Sequence, residues 1–138
     1  MTVKAIVGVA LMLASAACSE EIETPTSATA TGPATVLFSG TLQPRTTRFY
    51  SFTLTTSGTV SALLASVERN GVPAANLLEI GIGSPAGTGC AVTISANVSA
   101  SLIPQLRYDA AEGTYCVRVA DTEGLSAPMT FTIRVIHP

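Results

Sequence analysis

The 138-residue sequence predicts an all-β domain, an antiparallel two-sheet sandwich of about eight strands. Three observations carry that prediction. Runs rich in Thr, Val, Ile and Ser alternate apolar and polar residues at period two. Turn residues interrupt these runs every 8 to 15 residues or so, the rhythm of a sandwich rather than of strand–helix units. No segment shows the capped 3.6-residue periodicity of an amphipathic helix, although Pro73 to Leu77 has room for a single turn. The pattern occupies residues 35 to 138, about 104 residues, enough for one domain with a modest core.

Each strand has its own signature. The first is short, Val36 to Ser39. The second, Arg48 to Leu54, sets Tyr50, Phe52 and Leu54 on one face. After a turn at Ser57-Gly58, Val60, Ala62 and Leu64 continue an inward face. Leu78, Ile80 and Ile82 form another stripe with Gly81 and Gly83 out of phase, and Cys90, Val92 and Ile94 form the next. Ser101 to Arg107 is a weaker strand because it holds Pro104, which marks an edge or a bulge. Tyr115, Val117 and Val119 alternate against Cys116 and Arg118. Met129, Phe131, Ile133 and Val135 alternate with Thr130, Thr132 and Arg134 to close the domain.

The N-terminus has a different character. Lys4 precedes an apolar stretch, Ala5 to Ala14, then Ser15-Ala16-Ala17 and Cys18. A basic start, an apolar middle and a small-residue end make an export signal. Roughly ten apolar residues are too few to span about 30 Å of hydrocarbon. The layout resembles a bacterial lipoprotein precursor, which places the signal peptide at 1–17 and makes Cys18 the lipidated residue. That resemblance implies a diacylglyceryl group and an N-acyl chain such as palmitate on Cys18, and two or more chains anchor a protein stably. Ser15 stands where such precursors carry an aliphatic residue. Ordinary cleavage after Ala16 or Ala17, leaving a free thiol, is the alternative. Ser19 is not the aspartate that retains many Gram-negative lipoproteins at the inner membrane, so the resemblance implies the outer membrane. Residues 18–34, with Glu20, Glu21 and Glu23 followed by Thr, Ser, Ala, Pro and Gly, read as anchor and flexible linker. About 17 such residues reach roughly 20 to 25 Å.

Three cysteines are an odd number for an exported chain. Assigning Cys18 to lipid leaves Cys90 and Cys116 as a disulfide pair in an oxidising periplasm, with two buried thiols as the alternative. Cys116 is out of phase with Tyr115 and Val117, which puts a bridge on the outer side or margin of a sheet. Two distant cysteines and one histidine do not make a tetrahedral metal site, so neither metal nor cofactor is expected. The mature net charge, near −3, argues against a nucleic-acid partner.

Phe38-Ser39-Gly40-Thr41-Leu42, Arg48-Phe49-Tyr50-Ser51-Phe52-Thr53-Leu54, Ser57-Gly58-Thr59-Val60 and Glu112-Gly113-Thr114-Tyr115-Cys116-Val117-Arg118-Val119 occur in that order. Together they resemble the bacterial pre-peptidase C-terminal (PPC) domain over residues 35 to 138, which implies a jelly-roll-like sandwich acting as a non-catalytic accessory or substrate-binding module. Members of that family that bind calcium use acids before the second strand and in mid-domain. Here Gln43-Pro44-Arg45-Thr46-Thr47-Arg48 is basic and Leu77-Leu78-Glu79-Ile80-Gly81-Ile82 has one acid, so no calcium site is carried over.

Catalytic devices find few residues. The one histidine, His137, is next to the C-terminal proline and reads as an exposed terminal residue. Acids able to act in pairs are Glu68, Glu79, Asp109, Glu112, Asp121 and Glu123, four of them in turns where solvated charge is the default. Gly81-Ile82-Gly83-Ser84-Pro85-Ala86-Gly87 fits neither nucleotide fingerprint and reads as a hairpin. With no Trp in the chain, Tyr108 beside Arg107 is the one ring expected to be exposed and the weak candidate for a ligand contact. The expected protein is therefore not an enzyme but a lipid-anchored cell-envelope sandwich. It would serve as a protein-interaction or structural module, or alternatively bind a polysaccharide or peptide. Its partners would be the membrane, through Cys18, and an envelope protein or glycan. An open sheet edge, the Pro104 strand among the candidates, would accept a partner strand.

Overall fold

Alternation at period two produces strands throughout residues 32–138, which the computed structural model describes. The expected signal peptide, Cys18 and nearly all of the expected linker lie outside the described residues. The strands are β1 (Ala34–Leu42), β2 (Thr47–Leu54), β3 (Gly58–Arg69), β4 (Val72–Pro73), β5 (Leu78–Ala86), β6 (Gly89–Val98), β7 (Leu106–Ala110), β8 (Gly113–Ala120) and β9 (Met129–His137). All pairings are antiparallel. One sheet runs β1-β9-β3, with β4 and β7 sharing the far side of β3; the other runs β2-β8-β5-β6. With the two-residue β4 set aside, the remaining eight strands follow 1-8-3-6 and 2-7-4-5 in chain order, which is jelly-roll connectivity.

The inward rows make one core between the sheets. Phe131, Leu42, Leu64, Ile80, Ile82 and Ile133 are among its fully buried side chains. Phe38 stacks on Tyr50 at 5.0 Å and Tyr50 meets Phe131 edge-on at 6.3 Å, filling the side where β1 and β2 approach. Tyr50 also donates its hydroxyl to the Ser39 carbonyl. A Cβ at position 40 would lie 2.5 Å from that hydroxyl oxygen, so Gly40 makes room for the ring.

Two irregularities reset side-chain parity. In β3 the register with β9 shifts between Leu64 and Ser66, so the inward row passes from Leu64 to Val67. In β6 the register with β5 shifts at Thr93: Ile94 opposes Ile82 and packs on the core, whereas Val92 opposes Gly83 on the other face. The single stripe expected for Cys90, Val92 and Ile94 is therefore split by a bulge.

Other expectations also change. Ser99 to Gln105 is not a strand; β7 begins at Leu106, after Pro104, and its outer edge is unpaired. Pro73 belongs to β4, and residues 74–77 form no helical turn. Gly81 and Gly83 lie within β5, and the hairpin turns at Gly87-Thr88, where Gly87 adopts φ 57°.

Candidate functional site

Cys116 sits on central strand β8, facing away from the core, as its parity requires, yet it is fully buried. Its partner is Cys90 of β6, at a Cα–Cα distance of 5.9 Å. Since β5 lies between β8 and β6, two strand spacings would separate them by about 9 to 10 Å in a regular sheet. The distance closes because β6 folds over β5 beyond its bulge. Gly83 makes this close approach feasible: a Cβ there would collide with the Ala91 carbonyl, and one on Gly81 would lie 2.7 Å from Val92. The same outer face carries the Arg118–Glu79 ion pair.

The remaining polar candidates are spread over the sandwich. Asp109 accepts a hydrogen bond from Thr59 at 2.6 Å. His137 corrects the expectation of an exposed terminus: it is buried as the last residue of β9 and stacks on Phe52 at 5.6 Å. Asp121 is likewise buried, and its carboxylate accepts from the backbone N–H groups of Arg45, Gly124 and Leu125 at 2.7 to 2.8 Å. Burial pushes that carboxyl up, but the N–H groups of Arg45, Leu125, Gly124 and Glu123 outweigh it and hold it below its ordinary value. Among the described residues, no three His, Cys, Asp or Glu side chains gather where a metal would bind.

Tyr108 opposes Val60 and faces the interior, meeting Tyr115 edge-on at 6.2 Å. It is half-buried packing rather than an open platform, while Arg107, on the opposite face of β7, is exposed. The ring that is exposed is Phe49 of β2, at 40%. Its position between charged Arg48 and inward Tyr50 is a parity signal that the sequence does contain.

Two flanks of the sandwich stand out. On one, β1 and β2 each pair with a single neighbour, leaving their outer edges open. β1 runs nine residues in unbroken register with β9 and contains no charge, proline or bulge. These are the usual guards against strand addition. The other edges are guarded: β2 by Arg48, β6 by its bulge and β7 by its shortness with Arg107 and Asp109. Leu37 of β1 is 58% exposed beside this edge.

On the opposite flank, residues 99–105 cross from β6 to β7 along β3. Ser101 N–H donates to the Leu64 carbonyl and Gln105 N–H to that of Ala62, while Leu64 N–H donates to the Gln105 side chain. The same glutamine donates to the Ser99 carbonyl at 2.6 Å, and Ile103 N–H donates to the Ser101 hydroxyl. This bonded loop holds Leu102 and Ile103 outward, 85% and 71% exposed. Pro73, Ala74 and Ala75 share a shallow depression with Ser99 and Ala100, and Val72 and Leu77 on the same connection are exposed as well.

No protein-family model matches the chain, and no curated protein matches it. Among solved structures it is similar to PliG of Salmonella Typhimurium, a periplasmic lysozyme inhibitor of g-type lysozyme. The two share 16% identity over 74% of this chain and 86% of that one, with a TM-score of 0.44.

Proposed function

We propose that the protein is a non-catalytic module of the bacterial cell envelope, anchored by lipid on Cys18, that binds an envelope protein by strand addition at β1. The observation that carries this reading is the nine-residue, uncharged, proline-free open edge of β1, flanked by exposed Leu37. Backbone N–H and C=O groups along such an edge give affinity, and alternate side chains give specificity. Titratable groups dispersed over separate strands and turns support the non-catalytic part of the reading. The precursor-like N-terminus supports the anchor, Ser19 supports the outer membrane, and the resemblance to PPC domains supports an accessory role. The half-buried Tyr108 leaves the polysaccharide alternative without its aromatic platform.

A photo-crosslinking residue at Leu37 in the anchored protein, compared with one at Ser95 on β6, tests the partner. The expected result is one envelope protein captured from position 37, lost when Thr35→Pro is added to block the edge. Adducts from both positions, or from neither, would refute binding at β1. Intact mass tests the anchor separately: acyl additions should be present in the native protein and absent from Cys18→Ala.

A further inference from the structure

We infer that the flank opposite β1 is a second, non-covalent membrane contact, in which Leu102 and Ile103 enter the acyl region of a phospholipid bilayer. The inference rests on the anchor reading for the nearness of a bilayer, but its residues are different ones. Two connections build this flank, Asn70–Leu78 and Ser99–Leu106, and neither contains a charged residue. Between them they hold Val72, Leu77, Leu102 and Ile103, most of the large apolar side chains that the described residues leave exposed.

The shape favours lipid over protein. Side chains exposed to 85% and 71% stand on a protrusion, and the depression beside them, lined by Pro73, Ala74, Ala75, Ser99 and Ala100, is shallow. A bilayer needs no shape complementarity, only apolar area to bury. Part of the tip backbone is already paired, which lowers the cost of a low-dielectric setting, where each unpaired polar group is costly. Around the tip, the N–H groups of Ser101, Ile103 and Gln105 and the carbonyls of Ser99 and Ile103 all have partners within the fold. Exposed Arg107 follows the Ser99–Leu106 connection, where its guanidinium would meet lipid phosphates. Since the chain is acidic overall, anionic lipid is not required.

The geometry joins the two proposals. With Leu102 and Ile103 in the bilayer, the β1 edge on the far side of the sandwich faces away from the membrane and stays open. A linker reach of roughly 20 to 25 Å is compatible with a domain lying on its side.

The absence of tryptophan supplies the probe. The chain beginning at Cys18, with Cys90 and Cys116 oxidised, is coupled through its Cys18 thiol to maleimide-bearing phosphatidylcholine vesicles, so the test is independent of cellular lipidation. Leu102→Trp and Ile103→Trp each place a single indole at the tip, and Leu37→Trp places one on the opposite flank. The expected result is a blue shift and quenching by brominated acyl chains for the two tip variants, and neither for Leu37→Trp. Unresponsive tip variants, or equal responses on both flanks, overturn the inference. A blue shift that grows with protein concentration without vesicles also overturns it, by assigning the tip to a second copy of the chain. Acyl groups missing from the native protein's mass would defeat the anchor reading and leave this result standing.

Discussion

Asp121 ties together two turns distant in sequence. Its carboxylate takes N–H groups from Gly124 and Leu125 in its own loop and from Arg45 in the β1–β2 turn, while its own N–H donates to the Thr46 carbonyl. Arg45 is held at φ 59°, a conformation that a residue with a Cβ seldom adopts without such a partner. Asp121→Ala leaves buried donors unpaired and should cost about 1 to 3 kcal/mol, read as a lower urea midpoint. The folded carboxyl lies below its ordinary 3.8, so its stabilisation is complete at neutral pH. It is lost as the pH falls below about 4, where the unfolded chain takes up the proton first. The urea midpoint should therefore fall between about pH 5 and 3 in the native protein and fall less in Asp121→Asn. From sequence this aspartate reads as a solvated turn acid, because its task depends on a contact 76 residues away. Gly83 is similar. Its phase in β5 is legible, but its reason is the overlying Ala91 carbonyl, which only the folded β6 brings there. Gly83→Ala should cost about 3 kcal/mol or more, measured by denaturation, since backbone rather than a movable side chain must yield.

At the scale of elements, the strands whose parity is unbroken are the ones that alternation locates well. β2, β8 and β9 fall close to their expected spans with the expected inward rows, because each pairs without a register shift along its length or is held on both sides. β6 was legible as a strand but not in its facing. A one-residue bulge reverses every side chain beyond it, and no local propensity announces it. That bulge brings Cys90 across β5 to Cys116, so the pair expected from cysteine counting is reached by a route that strand order alone would forbid. Cys90→Ser combined with Cys116→Ser removes a closure of about 27 residues and should lower stability by roughly 3.5 kcal/mol in the chain-entropy model. Because the bridge pins the folded-over end of β6, amide exchange in that variant should rise first at Gly89 to Val92. Uniform acceleration across both sheets would mean that the bridge acts only on the unfolded chain. The strand expected over Ser101 to Arg107 begins only at Leu106 for a related reason: upstream of it, the backbone N–H groups of Ser101 and Gln105 and the Gln105 side chain satisfy the β3 edge in place of a regular ladder.

Across the whole molecule, the jelly-roll threading makes β1 both an outer strand and part of the core. It covers β9, contributes fully buried Leu42 and supplies Phe38 to the stack on Tyr50. The sequence between Ser19 and Ala34 holds no apolar pattern that would join a core. Starting the chain at Gly32 should therefore leave the unfolding free energy, measured by urea denaturation, within about 0.5 kcal/mol of that of the chain starting at Cys18. Starting it at Gln43 should abolish cooperative unfolding. Losing one buried leucine typically costs about 2 to 5 kcal/mol, and a domain of this size has only about 5 to 15 kcal/mol in all. The uncovered β9 would also present an open edge and promote association. Supplying Ala34–Leu42 as a separate peptide should restore the cooperative transition in the Gln43 chain, since the antiparallel register along all nine residues is what the missing strand provided. The same peptide added to the intact protein probes the other side of β1: competition with the crosslink captured at Leu37 would show that the edge accepts a strand of that character. A Gln43 chain that folds unaided would show instead that β1 is an appendage, with its pairing to β9 dispensable for the core.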